Sequence, residues 1–378
     1  MLCEYSKYCG GCENLQLDYA KQLIVKENTI KTLFRDFKDV DVEKCVGNYY
    51  PLKYRNKVHL AFKYFKGKLL VGFFEEGSVR VVDINSCHLF GDWLNKLIII
   101  LREFVVKFKI KVLDELGGGI LRYAHARCID GNLQLTLVAT TNNFAGRSWL
   151  LNRLQKDYKS VSLYVNINNR TDRTIFDNKF VFAGGDKYLT FNMCGVKCSI
   201  EPNSFLQVNL QIAEKMYKKA FSLLDVNENT TVIDLYSGIG ITSIYFAKHC
   251  NKVISVEENP SSVMNAKYMA KLNDVKNIIH MQGKCENLTH KIQSDNDLVV
   301  FVDPARAGLQ NDVITSIIKL NPRKIVYMSC NPESCVRDVK YLLEKSEYVI
   351  SSISPYDMFP YTKHIEILVC LQKRDERL

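Results

Sequence analysis

The sequence lacks the features of a secreted, membrane-bound or repetitive protein. Met1–Tyr5 is not a basic region followed by an apolar run, so we expect no signal peptide. The longest segment without a charged residue, Gly131–Gly146, is short and rich in Thr and Asn, which excludes a membrane span. There is no internal repeat and no low-complexity segment. These absences predict a globular, cytoplasmic protein with no membrane partner, and nothing indicates an obligate protein partner.

Size and charge indicate two parts with different tasks. The chain has 378 residues with 47% hydrophobic and 24% charged side chains, which fits a globular protein too long for one ordinary domain. Residues 1–200 hold 30 Lys and Arg against 20 Asp and Glu, whereas residues 201–378 hold 21 of each. The excess positive charge is thus N-terminal, as expected for a part that faces a nucleic acid. The alternative is that proteins of the source organism are generally basic and that these lysines are simply solvated, which would give the same net charge.

The N-terminal half mixes helical and strand-like patterns. Apolar residues at helical spacing predict helices over residues 18–37 and 94–108. Residues 54–84 are typical of hairpin strands around Gly67, and residues 120–200 return to strand-like segments. We therefore predict that residues 1–200 form an α+β domain rich in antiparallel sheet.

After about residue 210, short runs typical of buried strands alternate with helical patterns. This alternation predicts a mostly parallel, doubly wound α/β sheet, whose ligands bind at the carboxyl ends of the strands. The predicted domain covers residues 201–378. Its strand runs are residues 231–236, 252–256, 298–302 and 324–328.

Three of the 13 cysteines have the spacing of a metal site. Cys3, Cys9 and Cys12 form Cys-x5-Cys-x2-Cys, with two glycines between the last pair that allow a tight backbone. In a reducing compartment such thiols are candidate ligands, and an iron-sulfur cluster or a tetrahedral zinc needs four. Cys87, which follows a strand-like stretch, is the best fourth candidate. Its rivals are Cys45, Cys194 and Cys198. The spacing leaves iron-sulfur and zinc open.

A glycine-rich turn follows the first C-terminal strand. Asp234–Gly240 contains two glycines ahead of a helical pattern, so a ligand can approach the backbone and the helix N-terminus. The next strand ends at Glu257, whose carboxylate can accept hydrogen bonds from both ribose hydroxyls. The turn is not the Gly-x-Gly-x-x-Gly dinucleotide fingerprint. The pattern is that of S-adenosylmethionine-dependent methyltransferases, with another α/β nucleotide binder as the alternative.

Reactive side chains follow later strands of the same predicted sheet. Asp303 and Cys330 each follow a strand run, and a helix begins near Pro332, so we expect its terminus to favour the Cys330 thiolate. Arg306 stands where amino-group methyltransferases usually carry an aromatic residue, and Glu366 lies near the start of the last strand. Methylation at carbon 5 of uracil needs such a set. A thiolate must add to carbon 6 before the methyl arrives, and a base must then remove the carbon 5 proton.

Five segments resemble the RNA uracil-C5 methyltransferase family in order and spacing. They are Glu201–Asn209, Asp234–Gly240, Asp303–Arg306, Ser329–Pro332 and His364–Glu366. The resemblance implies a Rossmann-like catalytic domain, S-adenosylmethionine as cofactor and RNA as partner. It assigns Cys330 as the nucleophile and Glu366 as the base. It also implies a cofactor and uracil pocket lined by Gln207, Tyr236, Glu257 and Asp303.

The cysteine set resembles that of the ribosomal branch of this family, which carries a 4Fe-4S cluster. This implies an iron-sulfur domain with a structural cluster on Cys3, Cys9, Cys12 and Cys87. Larger ribosomal relatives have a small β-barrel domain ahead of the first cysteine, and none is expected here. The chain thus most resembles enzymes that methylate uridine 747 of 23S rRNA. Short forms with this spacing also resemble archaeal enzymes acting on uridine 54 of tRNA.

Other features of the resemblance concern boundaries and departures. The family pattern sets the early helix, at about residues 18–48, against the catalytic domain, which would make the domains discontinuous. Ala305 replaces a usual proline, Ser237 replaces a frequent cysteine, and the first cysteine gap is short. None of these changes removes a reacting group. A non-catalytic RNA-binding or assembly protein is the more remote alternative.

Overall fold

Neighbouring strands are largely antiparallel in the first half of the chain and largely parallel in the second half. The structure, a computed structural model, describes residues 3–113, 118–170, 172, 174–293 and 297–374. The strands are β1 (Lys57–Phe65), β2 (Lys68–Phe74), β3 (Val81–Asp83), β4 (Leu121–Ile129), β5 (Asn132–Ala139), β6 (Ser160–Ile167), β7 (Lys179–Gly185), β8 (Leu189–Met193), β9 (Val196–Ile200), β10 (Thr231–Leu235), β11 (Lys252–Glu257), β12 (Ile278–Gln282), β13 (Leu298–Val302), β14 (Lys324–Ser329), β15 (Tyr348–Tyr356) and β16 (Glu366–Lys373). The helices are α1 (Tyr19–Leu33), α2 (Asp92–Lys107), α3 (Arg147–Leu154), α4 (Leu210–Leu224), α5 (Ile241–Ala247), α6 (Pro260–Leu272), α7 (Cys285–Leu288), α8 (Asn311–Leu320) and α9 (Pro332–Glu344).

The chain divides into two units, each made of separate segments. The first unit comprises Met1–Gln16, Tyr50–Phe191 and Ser199–Asn203. The second comprises Leu17–Tyr49, Asn192–Cys198 and Ser204–Leu378. The chain therefore passes from one unit to the other more than once.

The first unit is built on a seven-stranded sheet with the order β3-β2-β1-β4-β5-β6-β7. Its neighbouring strands run antiparallel except for β5 and β6, which are parallel. Successive residues of β5, such as Leu133, Gln134 and Leu135, are fully buried, so both faces of this strand are covered. Helix α2 buries one apolar stripe that includes Leu94, Leu97, Leu101 and Phe104.

The second unit contains a seven-stranded sheet with the order β12-β11-β10-β13-β14-β16-β15. From β12 to β14 the neighbouring strands are parallel, whereas β16 runs antiparallel to both of its neighbours. This topology confirms the predicted doubly wound α/β sheet. It also brings the end of β14 and the start of β16 to the same edge, because antiparallel partners begin where their neighbours end.

The early helix α1 packs inside the second unit. Ile30 and Phe34 lie in the same buried core as residues of β10, β13 and β16. Downstream of α1, Val42 and Val46 form isolated bridges with residues of β15. Within the described part of the chain, no helix is long and apolar enough to cross a bilayer.

Candidate active site

The turn between β10 and α5 exposes backbone at the carboxyl edge of the second unit's sheet. Tyr236, Gly238 and Gly240 all have positive φ, at 62°, 54° and 80°. A Cβ on Gly240 would lie 2.9 Å from the Cβ of Ala266, so packing excludes a side chain there. A Cβ on Gly238 would meet nothing within 4 Å. Gly240 therefore permits close helix packing, whereas Gly238 leaves open space for a ligand.

Asp234 is a buried carboxylate with one oxygen free of protein partners. Its Oδ2 accepts hydrogen bonds from Thr242 Oγ1 at 2.7 Å and Ser243 Oγ at 2.5 Å. Its Oδ1 is buried and has no hydrogen-bond partner. Burial raises the pKa of Asp234 to about 6, Glu257 adds to this, and the two hydroxyls oppose it. Such an oxygen fits a ligand that brings an N–H donor or a positive charge.

Glu257 is held at the end of β11 beside the glycine turn. Its Oε2 accepts a hydrogen bond from the Gly238 N–H at 2.9 Å, and its Oε1 accepts one from the Asn259 N–H at 2.8 Å. Each carboxylate oxygen has a further lone pair. The side chain is therefore fixed in place while it can still accept ribose hydroxyls.

Strand register brings Cys330 and Glu366 together. Ser329, the last residue of β14, pairs with Ile367 of β16, so one further step places Cys330 opposite Glu366. Asp303 follows β13, and its N–H donates to the Leu235 carbonyl of β10 at 3.4 Å. The thiol and the two carboxyl groups thus meet at one edge of the sheet.

The thiol of Cys330 is less acidic than an ordinary cysteine. Its pKa is raised to about 11, first by burial and then by the charges of Glu366 and Asp303, while Arg306 lowers it. The sequence predicts a thiolate favoured by the N-terminus of α9, and for the free protein this prediction is wrong. The helix does begin at Pro332, but burial and the two carboxyl groups outweigh its terminus.

Both carboxyl groups beside Cys330 bind protons more tightly than usual. Burial, followed by the charge of Asp234, raises the pKa of Asp303 to about 7. Glu366 is only 3% exposed, and burial with the charge of Asp303 raises its pKa well above the ordinary value, while Arg306 lowers it. A positively charged ligand at this edge would lower all of these pKa values.

A cleft of about 740 Å³ is lined by Tyr236 and by the loop after Asp303, although Asp303, Cys330 and Glu366 themselves are not among its lining residues. The loop is held from α9: Asn331 Nδ2 donates to the Arg306 carbonyl at 3.0 Å, and Asp338 Oδ2 accepts the Leu309 N–H at 2.7 Å. The cleft is large enough for a nucleoside-sized ligand.

The predicted site residues mostly occupy strand ends. Tyr236 directly follows β10, and Glu257 is the last residue of β11. Asp303 directly follows β13, Cys330 directly follows β14, and Glu366 is the first residue of β16. Gln207 is buried in the segment before α4, two residues ahead of the helix cap Asn209. The sequence-based site set omitted Asp234 and Arg306. Their signals were present, as the acid that opens the glycine motif and the only cation in the Asp-Pro segment.

The four cysteines predicted as metal ligands line one cavity of the first unit. Cys3, Cys9, Cys12 and Cys87 contribute to this cavity of about 680 Å³. Burial, with the other three thiols, raises the pKa of Cys12 to about 12. The rival ligands Cys45, Cys194 and Cys198 are buried residues of the second unit.

The cavity has features that fit a bound group. A Cβ on Gly11 would lie 3.4 Å from Cys9 Sγ, so the backbone between the cysteines is already close to sulfur. Arg55 also lines the cavity, and its buried Nε has no hydrogen-bond partner. Among the described residues, no three His, Cys, Asp or Glu side chains are arranged to hold a single metal ion.

Known proteins resemble this chain over nearly its full length. The sequence model of the family described as tRNA (Uracil-5-)-methyltransferase matches residues 18–374. An uncharacterized RNA methyltransferase of Clostridium tetani is 32% identical over 381 residues, covering 98% of this chain and 82% of that protein. One from Clostridium acetobutylicum is 30% identical over 386 residues, covering 99% and 84%. The crystal structure of Pyrococcus abyssi tRNA (uracil-54, C5)-methyltransferase in complex with S-adenosyl-L-homocysteine has a TM-score of 0.80 and 28% identity, covering 96% of this chain and 86% of that chain.

Proposed function

Because this chain belongs to the RNA uracil-C5 methyltransferase family and is an RNA methyltransferase, we propose that it methylates carbon 5 of one specific uridine. The observation that carries the proposal is the meeting of a thiol, Cys330, with the partly exposed carboxyl group of Asp303 and the buried one of Glu366 at the ligand-binding edge of the sheet. A thiol nucleophile beside a protected base suits uracil carbon chemistry, which an amino-group methyltransferase does not need.

In the first half of the proposed reaction, Cys330 makes carbon 5 nucleophilic. The thiol gives its proton to solvent, which reaches this half-buried side chain, and the sulfur lone pair forms a bond to carbon 6 of the uracil ring. The electrons of the carbon 5–carbon 6 double bond move toward the carbon 4 oxygen and give an enolate. Carbon 5 can then take the methyl group that S-adenosylmethionine would supply, with the electron pair of the broken methyl–sulfur bond staying on sulfur to leave S-adenosylhomocysteine.

In the second half, Glu366 removes the proton that remains on carbon 5. The carboxylate takes this proton, and the electron pair of the carbon–hydrogen bond re-forms the double bond. The bond between carbon 6 and sulfur then breaks, and its electron pair returns to Cys330. Glu366 is almost fully buried, so the base is shielded from water until substrate arrives.

The acidic lining supports S-adenosylmethionine as the methyl donor. Its α-ammonium group and its sulfonium are positively charged, which suits a site where the charge of Asp234 raises the pKa of Asp303 and that of Glu257 raises the pKa of Asp234. The free Asp234 Oδ1 can accept an ammonium N–H, and Glu257 can accept the ribose hydroxyls. Tyr236 and Gln207 complete the proposed pocket for cofactor and uracil.

For the cysteine cavity we propose a structural 4Fe-4S cluster held by Cys3, Cys9, Cys12 and Cys87. Each cysteine binds a different iron in such a cluster, so the four sulfurs need not converge on a single point. The proposed reaction transfers no electron. Protein purified without oxygen should contain about four iron atoms per chain. The iron content should be lower in Cys12→Ser, whereas Cys128→Ser, which changes a cysteine outside the cavity, should have the wild-type iron content. A colourless protein with bound zinc would contradict the cluster.

The target RNA has two candidates. Uridine 747 of 23S rRNA rests on the likeness of the cysteine set to the ribosomal branch of the family. Uridine 54 of tRNA is favoured by the TM-score of 0.80 with the Pyrococcus abyssi enzyme. The proposed reaction at carbon 5 is the same for both target uridines.

The experiment that tests the proposed function uses two unmodified transcripts. One is a 23S rRNA segment that contains uridine 747, and the other is a tRNA that contains uridine 54. Nucleoside mass spectrometry should find 5-methyluridine in one of them after incubation with S-adenosylmethionine. Cys330→Ala should abolish the product. Cys250→Ala should leave it unchanged, because Cys250 precedes the first residue of β11, at the edge of the sheet opposite to Cys330. Product formed by Cys330→Ala would make the nucleophile assignment wrong.

A further inference from the structure

A buried ion pair joins the early helix α1 to the segment that precedes Glu366. Lys26 of α1 is 2% exposed, Asp357 is fully buried, and Lys26 Nζ lies 2.6 Å from Asp357 Oδ1. The same Nζ donates to the carbonyls of Phe359 at 3.2 Å and His364 at 2.8 Å. An ammonium group has three donors, and these three acceptors use all of them. Lys26 thus holds both ends of the segment between β15 and β16.

Other side chains near α1 fix the same segment. Tyr19 Oη donates to Asp357 Oδ2 at 2.8 Å, and Asn48 Nδ2 donates to the Asp357 carbonyl at 3.2 Å. Gln22 Oε1 accepts the N–H of Tyr361 at 3.0 Å. We call the segment 357–364 together with these contacts the Lys26 network. It connects residues more than 300 positions apart in the chain within one unit.

The segment also contains a strained residue. Tyr361 is buried and has φ of +67°, a region that non-glycine residues rarely adopt. Such a conformation persists only where surrounding contacts hold it, and it is frequent at functional sites. His364, whose carbonyl binds Lys26, stands two residues before Glu366. The network therefore fixes the backbone from which the proposed base extends.

Stability alone is a weak reason for this arrangement. An apolar pair of similar volume often stabilises a core as well as a buried ion pair does, because both charges must lose their water. What the ion pair adds is direction, since a buried ammonium fixes its acceptors in one geometry. That property matters most where a side chain must meet a reacting atom.

We propose that Lys26 is a positioning residue for Glu366 and sets its carboxylate in line with the proton on carbon 5. The proposal rests on the proposed function. In the step concerned, Glu366 takes the carbon 5 proton, the double bond re-forms, and the Cys330–carbon 6 bond breaks with its electrons returning to sulfur. Displacing Glu366 slows this step and leaves the earlier attack by Cys330 intact.

The test follows the covalent adduct between enzyme and RNA on a denaturing gel. The RNA is whichever of the two transcripts the wild-type chain methylates. In Lys26→Met the adduct should form within about threefold of the wild-type rate and break down at least about tenfold more slowly, since small misplacements of a reacting group cost up to about a hundredfold. Adduct should therefore accumulate, as expected for Glu366→Gln.

A second variant guards against misfolding. Lys26→Met leaves the Asp357 carboxylate buried without its cation, whereas Lys26→Met with Asp357→Asn removes both charges, so the double variant should fold and still accumulate adduct. Lys31→Met is the matched control, because Lys31 lies on the same helix in a surface pair with Glu27. It should behave as the wild type.

Several outcomes would overturn the inference. Wild-type adduct breakdown in a folded double variant would show that Lys26 does not position the base. An equal slowing of both steps, or failure of both variants to fold, would make the role purely structural. If the wild-type chain makes no 5-methyluridine in either transcript, the proposed function itself fails, which is a different result.

Discussion

At the residue scale, the site combines several acidic groups with the nearby cation Arg306. Asp234, Asp303 and Glu366 all have raised pKa values, and burial is the first cause for each. Arg306 is the cation that lowers the pKa of both Cys330 and Glu366. In the free protein, protons neutralise much of this acidity. A positively charged methyl donor would displace them and so prepare the nucleophile and the base together.

The raised pKa of Cys330 predicts slow, pH-dependent alkylation. A thiol with a pKa of about 11 is almost entirely protonated at neutral pH. Its reaction with iodoacetamide in the free protein should therefore accelerate about tenfold per pH unit from pH 7 to 10. Arg306→Gln should slow the reaction about two- to fivefold at pH 8, because it removes the cation that lowers the pKa. Peptide mass spectrometry at Cys330 measures the rate.

Lys340→Gln, which removes an exposed charge from α9, is the control and should not change the Cys330 rate. A rate that levels off below pH 8 would contradict the raised pKa.

The raised pKa of Asp303 predicts that its contribution to the free energy of unfolding falls as the pH rises. Its pKa is about 7 in the folded protein and 3.8 in the ordinary state, so the folded state binds the proton more tightly. This contribution to stability is complete below about pH 4 and is lost as the pH rises through 7. Asp303→Asn stays neutral. It should raise the free energy of unfolding by about 1–3 kcal/mol at pH 8, since part of the side chain is accessible to solvent.

Denaturant unfolding at pH 4.5 and 8 measures this difference, which should fall to about a quarter at the lower pH, because pH 4.5 is still slightly above the pKa of the unfolded state. Asp36→Asn, on a side chain that is 85% exposed, should change neither value. An equal effect of Asp303→Asn at both pH values would make the electrostatic explanation wrong.

At the scale of elements, the turn between β10 and α5 distinguishes two uses of glycine. Gly240 and Gly195 both have positive φ, but only Gly240 would place a Cβ against a neighbour, 2.9 Å from Ala266. Gly195→Ala should therefore cost about 1 kcal/mol of stability from backbone strain alone. Gly240→Ala should cost about 2–4 kcal/mol, because overpacking adds to that strain. Thermal unfolding compares the two.

Isothermal titration should also show weaker S-adenosylmethionine binding in Gly240→Ala and unchanged binding in Gly195→Ala. Equal losses of stability in Gly240→Ala and Gly195→Ala would contradict the role given to the close approach of Gly240, at the start of α5, to Ala266 of α6.

Helix α1 shows where sequence-based prediction of an element stops. Apolar spacing predicts a helix over residues 18–37, and the structure has one at Tyr19–Leu33. The pattern says that one face is buried, but it does not say against which part of the chain. Lys26 is one of several lysines in this helix, and its partner lies 331 positions away. Only the folded structure distinguishes it from the surface lysines.

At the scale of the whole molecule, most of the net positive charge belongs to the first unit. That unit holds 23 Lys and Arg against 15 Asp and Glu, while the second holds 28 against 26. RNA affinity in this family of reactions depends on neutralising phosphates, so the first unit is where most of that affinity should arise. The second unit carries the residues proposed for catalysis.

The sequence predicts the parallel sheet and the ends of its strands because buried runs and glycine turns are local signals. It predicts that Asp303 and Cys330 come together, since carboxyl ends of parallel strands share an edge. It does not predict the raised pKa of Cys330, which depends on burial and on charged neighbours from β16 and from the loop after β13. The free oxygen of Asp234 and the Lys26 network are likewise properties of packing rather than of local pattern.

The central claim is that a methyl group replaces the hydrogen on carbon 5 of uridine. RNA labelled with tritium at carbon 5 of its uridines tests this directly, because each methyl transfer must release one tritium to water. We expect equal amounts of methyl incorporated and tritium released with the wild-type chain, and neither with Cys330→Ala. Methyl incorporation without tritium release would contradict the account, since the methyl would then be on another atom.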